Sequence, residues 1–583
     1  MRASTTKNGL TLRVIAGTHD AIIAIDFQED KRKGCLGFSI QRTDLGPAAQ
    51  PLPASQQKTE WLPNLLRFPS VPLAEGQTFS TTEDAPLQKF RWGDYTLQPA
   101  MSYRFKVIPR FGKPGAFEAM PGLEDGVEVE ITTEDPNSEE TSVFFNRASA
   151  ASSAFEKEFP NLTDLDVDTP EADNARKWLS HGLEEAVLAF LAKAQKGDAL
   201  HAAIYEFQKP ELLKGIKDAA LRGVDVKVAY HHRNAGAKDK TYAKNDAAIK
   251  AAGLDDDSLK AQNLKPIVHP RKSNPQNAIM HNKFVVLLKS DGKEPAPTAV
   301  WTGSTNWTEG GIYGQLNVGH AVYDATVAAQ YEAYFQLLYA DADATTMKHQ
   351  NGGISPVPLP PLSSEHKVTP VFSPQEEDTM LHVYSNVCDQ AKSFLMVSAP
   401  FALSPIILAS LSKKNDNLLR FMLLDKLGSL GKGQEVTLIE GDPNDSIAVA
   451  TTLSTPLSDY QGRLLEGKES FHHAGIHIHS KIILVDPFSS DPIIVTGSAN
   501  FSNNSTKVND SNSLILRGFT AVADIYATEF MRMFEHYHFR AKEAALKDKS
   551  KPMGLVEDDS WSDEYYVKDS YEEKDRRMFA GTM

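Results

Sequence analysis

Two short segments of this chain carry the residue types that phosphorus chemistry uses, in one order and at nearly one spacing. The first reads Met280-His281-Asn282-Lys283, continues through an apolar run to Leu288, and reaches Thr302-Gly303-Ser304-Thr305-Asn306-Trp307. The second reads Ile478-His479-Ser480-Lys481, continues through Ile482–Val485 to Asp486, and reaches Thr496-Gly497-Ser498-Ala499-Asn500-Phe501. Imidazole titrates near neutrality, so one histidine can attack phosphorus while the other protonates the leaving oxygen. Lys283 and Lys481 would set compact positive charge on the non-bridging oxygens. Asn306, Asn500, Ser304 and Ser498 add neutral donors, and Gly303 and Gly497 let backbone and polar atoms approach a ligand. This set needs no cofactor and no metal.

One His-x-Lys alone is ordinarily a solvated strand end, and Gly-Ser-x-Asn alone is a turn. Their ordered repetition makes them a candidate site. The run His472, His473, His477 and His479 is dense enough to raise a metal site. No acidic or cysteine ligand accompanies it, and His479 has a better use, so no metal is expected.

These residues need elements that aim them inward. In each segment His and Lys stand two apart at the head of an apolar run, and a strand's period of two sends both side chains to one face. Around them the texture alternates helix and strand. The spacing predicts a helix over Asn174–Ala194, a strand at Ala199–Phe207, a helix from Pro210 and a strand at Val224–Tyr230. The order then returns: helix Thr379–Ala391, strand Ser393–Pro400, helix from Pro405, strand Leu418–Leu424. Pro210 to Pro405 is an offset of 195, Gly303 to Gly497 of 194, and His281 to His479 of 198. The series indicates an internally duplicated α/β unit.

The expected organisation is a β-rich accessory domain over 1–160, α/β lobes over 170–350 and 375–545, a Pro-rich linker over 351–374, and an extended tail over 546–583. The first part alternates short β-branched runs with Gly and Pro turns, as a β-sandwich does. Such a domain would suit docking to a membrane or a protein partner.

Composition narrows the classes. A chain of 583 residues exceeds one hydrophobic core. The formal charge of −15 weighs against non-specific capture of nucleic acid or anionic membrane. Two distant cysteines, Cys35 and Cys388, imply no disulfide framework. The first twelve residues lack the apolar run of a secretory signal, and no apolar stretch is long enough to span a bilayer, so a cytoplasmic protein is expected.

The paired motifs resemble the phospholipase D superfamily, whose pattern is His-x-Lys, four residues, Asp, then Gly-Ser-x-Asn. The second copy fits throughout, and the first departs at Leu288, where the Asp would stand. The resemblance implies two lobes about a pseudo-twofold axis, with one site between the motifs. It also implies a covalent phosphohistidine intermediate, with His281 as nucleophile and His479 as general acid. Asp486 enters the candidate catalytic set on the same ground. Members of the family often carry a Glu ahead of the Asn after each Gly-Ser-x-Asn segment, where it orients the opposite histidine. Those places here hold Leu316 and Ser511, so the orienting groups are open, with Asp486 and Asp510 the nearest acids in sequence.

Within this class a phospholipid substrate is favoured by the acidic charge. A metal-independent nuclease is the alternative, since Gly-Ser-Thr-Asn-Trp-Thr looks like the nuclease-type members. A phosphate-binding module that has lost catalysis is the reading from another class.

Overall fold

The computed structural model describes residues 1–72, 80–137, 140–148, 154–155, 158–162, 165–233, 240–272, 278–356, 367–426, 444–449, 457–458, 464–466, 477–545 and 554–583. His472 and His473, and Pro358, Pro360 and Pro361 of the expected linker, lie outside the described residues.

Two seven-stranded mixed sheets have the same strand order. The first runs Thr141–Phe145, Val318–Val322, Ala296–Gly303, Lys283–Lys289, Ala199–Ile204, Asp225–His231, Val268–Arg271. The second runs Val368–Ser373, Ser511–Arg517, Ile493–Gly497, Ile482–Val485, Phe394–Ala399, Leu419–Leu424, Asp445–Val449. In each sheet only the last three strands are mutually parallel, joined through helices such as Pro210–Leu221 and Pro405–Leu411. The His-x-Lys strand is central in both sheets, and its continuous apolar run is what a strand covered on both faces requires.

Each sheet recruits an edge strand from outside the expected lobe boundary. Thr141–Phe145 falls in the segment assigned to the accessory domain, yet it pairs with Val318–Val322. Val368–Ser373 falls in the expected linker, yet it pairs with Ser511–Arg517. Its Pro370 is tolerated because an edge strand leaves one N–H row unpaired. The single helix expected over Asn174–Ala194 is two, Pro170–Ser180 and Leu183–Ala192, broken at His181 in the left-handed region. The Ser180 hydroxyl accepts the Glu184 N–H and starts the second helix.

Helices Ala325–Tyr339 and Thr520–Ala545 lie between the sheets, and one continuous apolar core takes residues from both lobes. Ahead of the lobes, Arg2–Lys7, Leu10–Ala16, Ala21–Phe27 and Arg91–Asp94 form one antiparallel sheet. Met101–Lys113 and Gly37–Pro47 centre a second, and the two enclose Leu12, Val14, Phe38 and Phe105. The described residues of the expected tail, 554–583, are not extended: Asp559–Tyr566 is a 3-10 helix and Tyr571–Ala580 an α-helix. Ser570 accepts the Glu573 N–H and caps the last helix, while the Glu573 carboxylate accepts the Asp569 N–H just ahead of the cap. Trp561 joins the sandwich core and donates its indole N–H to the Cys35 carbonyl. Among the described residues, no helix is long and apolar enough to cross a membrane.

Asp486, expected in the catalytic set, lies at the far end of its strand from His479. Its carboxylate accepts the backbone N–H groups of Lys392, Ser393 and Phe394 at 2.7–2.9 Å, pinning the entry of the neighbouring strand. The first lobe builds the same clamp from the other side. There Asp198, just before Ala199–Ile204, accepts from the Ser290 N–H and the Lys289 ammonium, and Leu288 packs into the core instead. The missing Asp at Leu288 is therefore a transferred strand clamp and not a loss at the site. Asp486→Ala should cost about 2–4 kcal/mol of stability in denaturant melts, as three N–H groups lose a charged acceptor, while the folded fraction keeps its turnover. A collapse of kcat with unchanged stability would return Asp486 to the catalytic set.

Candidate active site

The segments leading into the two His-x-Lys strands are laced to the opposite lobe by backbone. The His281 N–H donates to the Asp510 carbonyl at 2.7 Å, and the Asp510 N–H to the Ile279 carbonyl at 3.0 Å. By pseudo-symmetry the Leu316 N–H donates to the His477 carbonyl at 2.8 Å, and the His479 N–H to the Leu316 carbonyl at 3.1 Å. Each segment is also tied within its own lobe. The Asp425 carboxylate accepts the His477 and Ile478 N–H groups, and His231 Nδ1 accepts that of Met280.

These ties bring the imidazoles face to edge, with ring centroids 6.3 Å apart and planes at 70°. That leaves room for one tetrahedral phosphoryl group between them. His281, His479, Lys283 and Lys481 are at most 5% exposed. Each lysine ammonium folds back to the carbonyl of the histidine two residues before it. The Tyr205 ring lies against both Lys283 and His281.

The histidine Nδ1 atoms face oxygen acceptors from the opposite lobe. His281 Nδ1 lies 2.9 Å from the Ser498 carbonyl. His479 Nδ1 lies 2.9 Å from Asn317 Oδ1, with the Ser304 backbone close by. Oxygen acceptors put the proton on Nδ1 and leave Nε2 for chemistry.

Gly303 and Gly497 take φ of +151° and +139°, and a Cβ there would meet backbone at 2.3 Å (Val318 O) and 2.5 Å (Asn512 O). Their role is close strand approach, which carries the serine carbonyls to the histidines. The Ser304 and Ser498 side chains, expected to donate to substrate, are committed elsewhere. The Ser304 hydroxyl donates to Asn317 Oδ1 and accepts the Val318 N–H, and the Ser498 hydroxyl bonds the Asn512 backbone. Asn306 and Asn500 differ: the Oδ1 of each is buried and finds no hydrogen-bond partner among the described residues. Rotating the amide presents N–H in its place, so both remain able to meet a ligand oxygen.

The Asp510 carboxylate faces Arg271 at 3.1 Å in a buried ion pair. The His281 to Asp510 and Leu316 to His477 bonds define the register, and it aligns Asn317, not Leu316, with Ser511. The offset of 194 that relates Gly303 to Gly497 also relates Asn317 to Ser511, so this signal was present in the sequence. Asn512 is a buried cross-lobe strut that sequence reasoning missed. Its amide accepts from Thr302 and Tyr331 and donates to Asn282.

The electrostatics are those of an anion site. Burial, reinforced by Lys283 and Lys481, holds both imidazoles well below their ordinary value. Burial likewise pulls both ammoniums well below theirs, with Lys283 adding to the effect on Lys481 and Glu206 opposing it at Lys283. No group of three or more His, Cys, Asp or Glu residues able to hold a metal stands among the described residues.

Residues 187–339 match the family model described as cardiolipin synthase, PLD-like domain. No match is found among curated proteins. Among solved structures, phosphatidylserine synthase of Haemophilus influenzae Rd KW20 aligns at 11% identity over 61% of this chain and 85% of its own, with a TM-score of 0.44. Nuc of Salmonella typhimurium, a phospholipase D family member, aligns at 18% identity over 29% of this chain and 94% of its own, with a TM-score of 0.21. The chain carries a phospholipase D-like domain, and the second lobe repeats its sheet order.

The pKa directions give a signed expectation. With these four bases depressed, the empty folded protein binds fewer protons than the unfolded chain, so acidification costs stability, for the two lysines from the ordinary lysine value downward and for the two histidines from the ordinary imidazole value downward. An anion reverses the depression, so its binding takes up protons. Sulfate, doubly charged throughout, should bind more tightly near pH 6 than near pH 8 and raise the melting temperature more at the lower pH. Lys481→Met should raise the melting temperature of the empty protein, by roughly 1–3 kcal/mol of stability, and abolish the sulfate effect. Calorimetry with buffers of different ionisation heat checks the proton uptake; sulfate binding independent of pH would refute the assignment.

Proposed function

We propose that this protein is a phosphodiesterase of the phospholipase D type, which cleaves its substrate through a phosphohistidine intermediate. The observation that carries the reading is the buried quartet: two imidazoles 6.3 Å apart, each followed by a lysine two residues on, drawn from both lobes. A module that only bound phosphate would have no need of two imidazoles with Nε2 free and Nδ1 fixed by acceptors.

In this reading His281 Nε2 attacks phosphorus, the bond from phosphorus to the leaving alcohol breaks, and the proton on His479 Nε2 passes to the departing oxygen. Lys283 and Lys481 hold the non-bridging oxygens, and Asn306 and Asn500 contribute amide donors. His479, now neutral, takes a proton from water as the water oxygen attacks the phosphohistidine. The phosphomonoester leaves, His281 is restored, and His479 carries its proton again. An incoming alcohol in place of water would make the same step a transfer.

A phospholipid is the favoured substrate. A nuclease grips successive phosphates with Lys and Arg, whereas this chain carries a formal charge of −15. Phe401, 41% exposed, stands on the turn that follows Phe394–Ala399 at the sheet end shared with His479, an apolar group suited to acyl chains. The matched family model is likewise described by a phospholipid-synthesising enzyme.

The purified protein should release head group from mixed phospholipid vesicles and leave single- and double-stranded DNA and RNA intact, with EDTA present or absent. Rapid acid-free quenching during turnover should trap labelled phosphate on His281, and His281→Ala should trap none there. Cleavage of nucleic acid in place of lipid would select the nuclease reading. Abolition by chelator with rescue by one divalent ion would overturn the metal-free mechanism.

A further inference from the structure

The two sheets match strand for strand up to their lysines, and then part. Ile204 pairs with Lys283 and Ser398 with Ile482, so the residue just past the lysine's strand partner is Tyr205 in the first lobe and Pro400 in the second. The Tyr205 backbone is held at both ends. Its N–H donates to the Asn282 carbonyl at 2.8 Å, and its carbonyl accepts from the buried Asn245 amide at 2.9 Å. Asn245 Oδ1 takes the Phe207 N–H at 3.0 Å and so closes the turn. Pro400 has no N–H with which to repeat the first of these bonds. The ring fixed in this way has its centroid 5.0 Å from Lys283 Nζ and 5.1 Å from the His281 ring, with the His231 ring also at 5.1 Å. Glu206, next in the turn, adds negative charge that bears on Lys283. The offset that takes Pro210 to Pro405 puts uncharged Phe401 in its place in the second lobe.

We propose that Tyr205 is a positioning residue that makes the two lysines unequal: Lys283 holds the first proton in the empty site and draws the anion in, and Lys481 takes its proton from solvent only as the anion binds. Two like charges across one buried gap oppose each other, so the pair gains its protons one at a time. The negative face of an aromatic ring stabilises a cation most where water is excluded, and that ring stands over Lys283. The Glu206 carboxylate acts in the same direction. The charge that bears on Lys481 is that of Lys283 itself. His281 and His479, across the gap, are both pushed toward the neutral ring by the two lysines and add no competing charge. The arrangement gives the empty site a single unbalanced cation. It confines the second to the occupied site, where the non-bridging oxygens need it.

This inference rests on reading the quartet as a phosphoryl site, and sulfate binding separates the two. Calorimetry at pH 8 and pH 6, in buffers of different ionisation heat, reads both affinity and proton uptake. A cation held over a ring in a dry site is favoured about tenfold or more. Tyr205→Leu should therefore bind sulfate about tenfold more weakly than the wild type at pH 8, and by a smaller factor at pH 6. It should also take up more protons at pH 8, because Lys283 then arrives neutral as well. Tyr205→Phe keeps the ring face and should match the wild type in affinity and uptake. Successively fluorinated phenylalanines at position 205 withdraw charge from that face at nearly constant shape. Affinity at pH 8 should fall stepwise along them, a series that serves equally should the leucine protein not fold. A loss of equal factor at both pH values with unchanged uptake, or a flat fluorine series, would make Tyr205 merely structural and overturn the proposal. A Tyr205→Phe protein that behaves like Tyr205→Leu would place the effect in the hydroxyl and overturn it as well. A wild-type protein that binds neither sulfate nor vanadate would instead sink the phosphoryl-site reading, and this proposal with it.

Discussion

The site depends on four backbone hydrogen bonds that cross between the lobes. The His281 segment is paired with Asp510 of the second sheet, and the His479 segment with Leu316 of the first. Backbone pairing has a fixed register, so once these bonds form, the two imidazoles are held across one gap and neither lobe can rotate independently. The surrounding features serve the crossing. Gly303 and Gly497 allow the strands behind it to close up, and the Asn512 strut and the Arg271–Asp510 pair brace it. The shared apolar core around Ala325–Tyr339 and Thr520–Ala545 presses the sheets together. A half of this protein by itself would hold one histidine and one lysine with no partner across the gap.

That geometry imposes an energetic conflict. Four basic groups are buried together, and the charge that bears on Lys481 is the like charge of Lys283. Unpaired buried charge is costly, so the empty site relaxes by giving up protons. An anionic phosphodiester supplies the missing counter-charge, and the interior that penalises the lysines then strengthens their hold on the phosphoryl oxygens. Stability lost in the empty state and affinity gained in the bound one are thus two faces of a single burial.

Much of this was legible in the residues. The ordered offsets reveal the duplication, and the period of two places His and Lys on one face, because both signals depend only on local spacing. What the spacing could not supply is how elements exchange jobs. The strand clamp moved from the Leu288 position to Asp198, a swap across neighbouring strands that no single-strand pattern records. The edge strands Thr141–Phe145 and Val368–Ser373 lie beyond the duplicated motif core, and short strands without a strong alternating pattern do not declare which sheet they join. Asn317 stands one residue beyond Leu316; the offset of the Gly-Ser-x-Asn turns already pairs it with Ser511, and the cross-lobe register agrees. The serines looked like ligand donors because their hydroxyls are polar and near the motif, yet folding uses those hydroxyls and leaves the carbonyls to the histidines.

The central claim is that both lobes contribute to one site. Vanadate, which mimics the five-coordinate phosphoryl group, tests it most directly by titration calorimetry on the intact chain and on the Lys283→Met and Lys481→Met proteins. The account predicts one vanadate per chain, with binding lost when either lysine is replaced. Two vanadates per chain, or one that persists when a single lysine is removed, would show that the lobes bind separately and would contradict it.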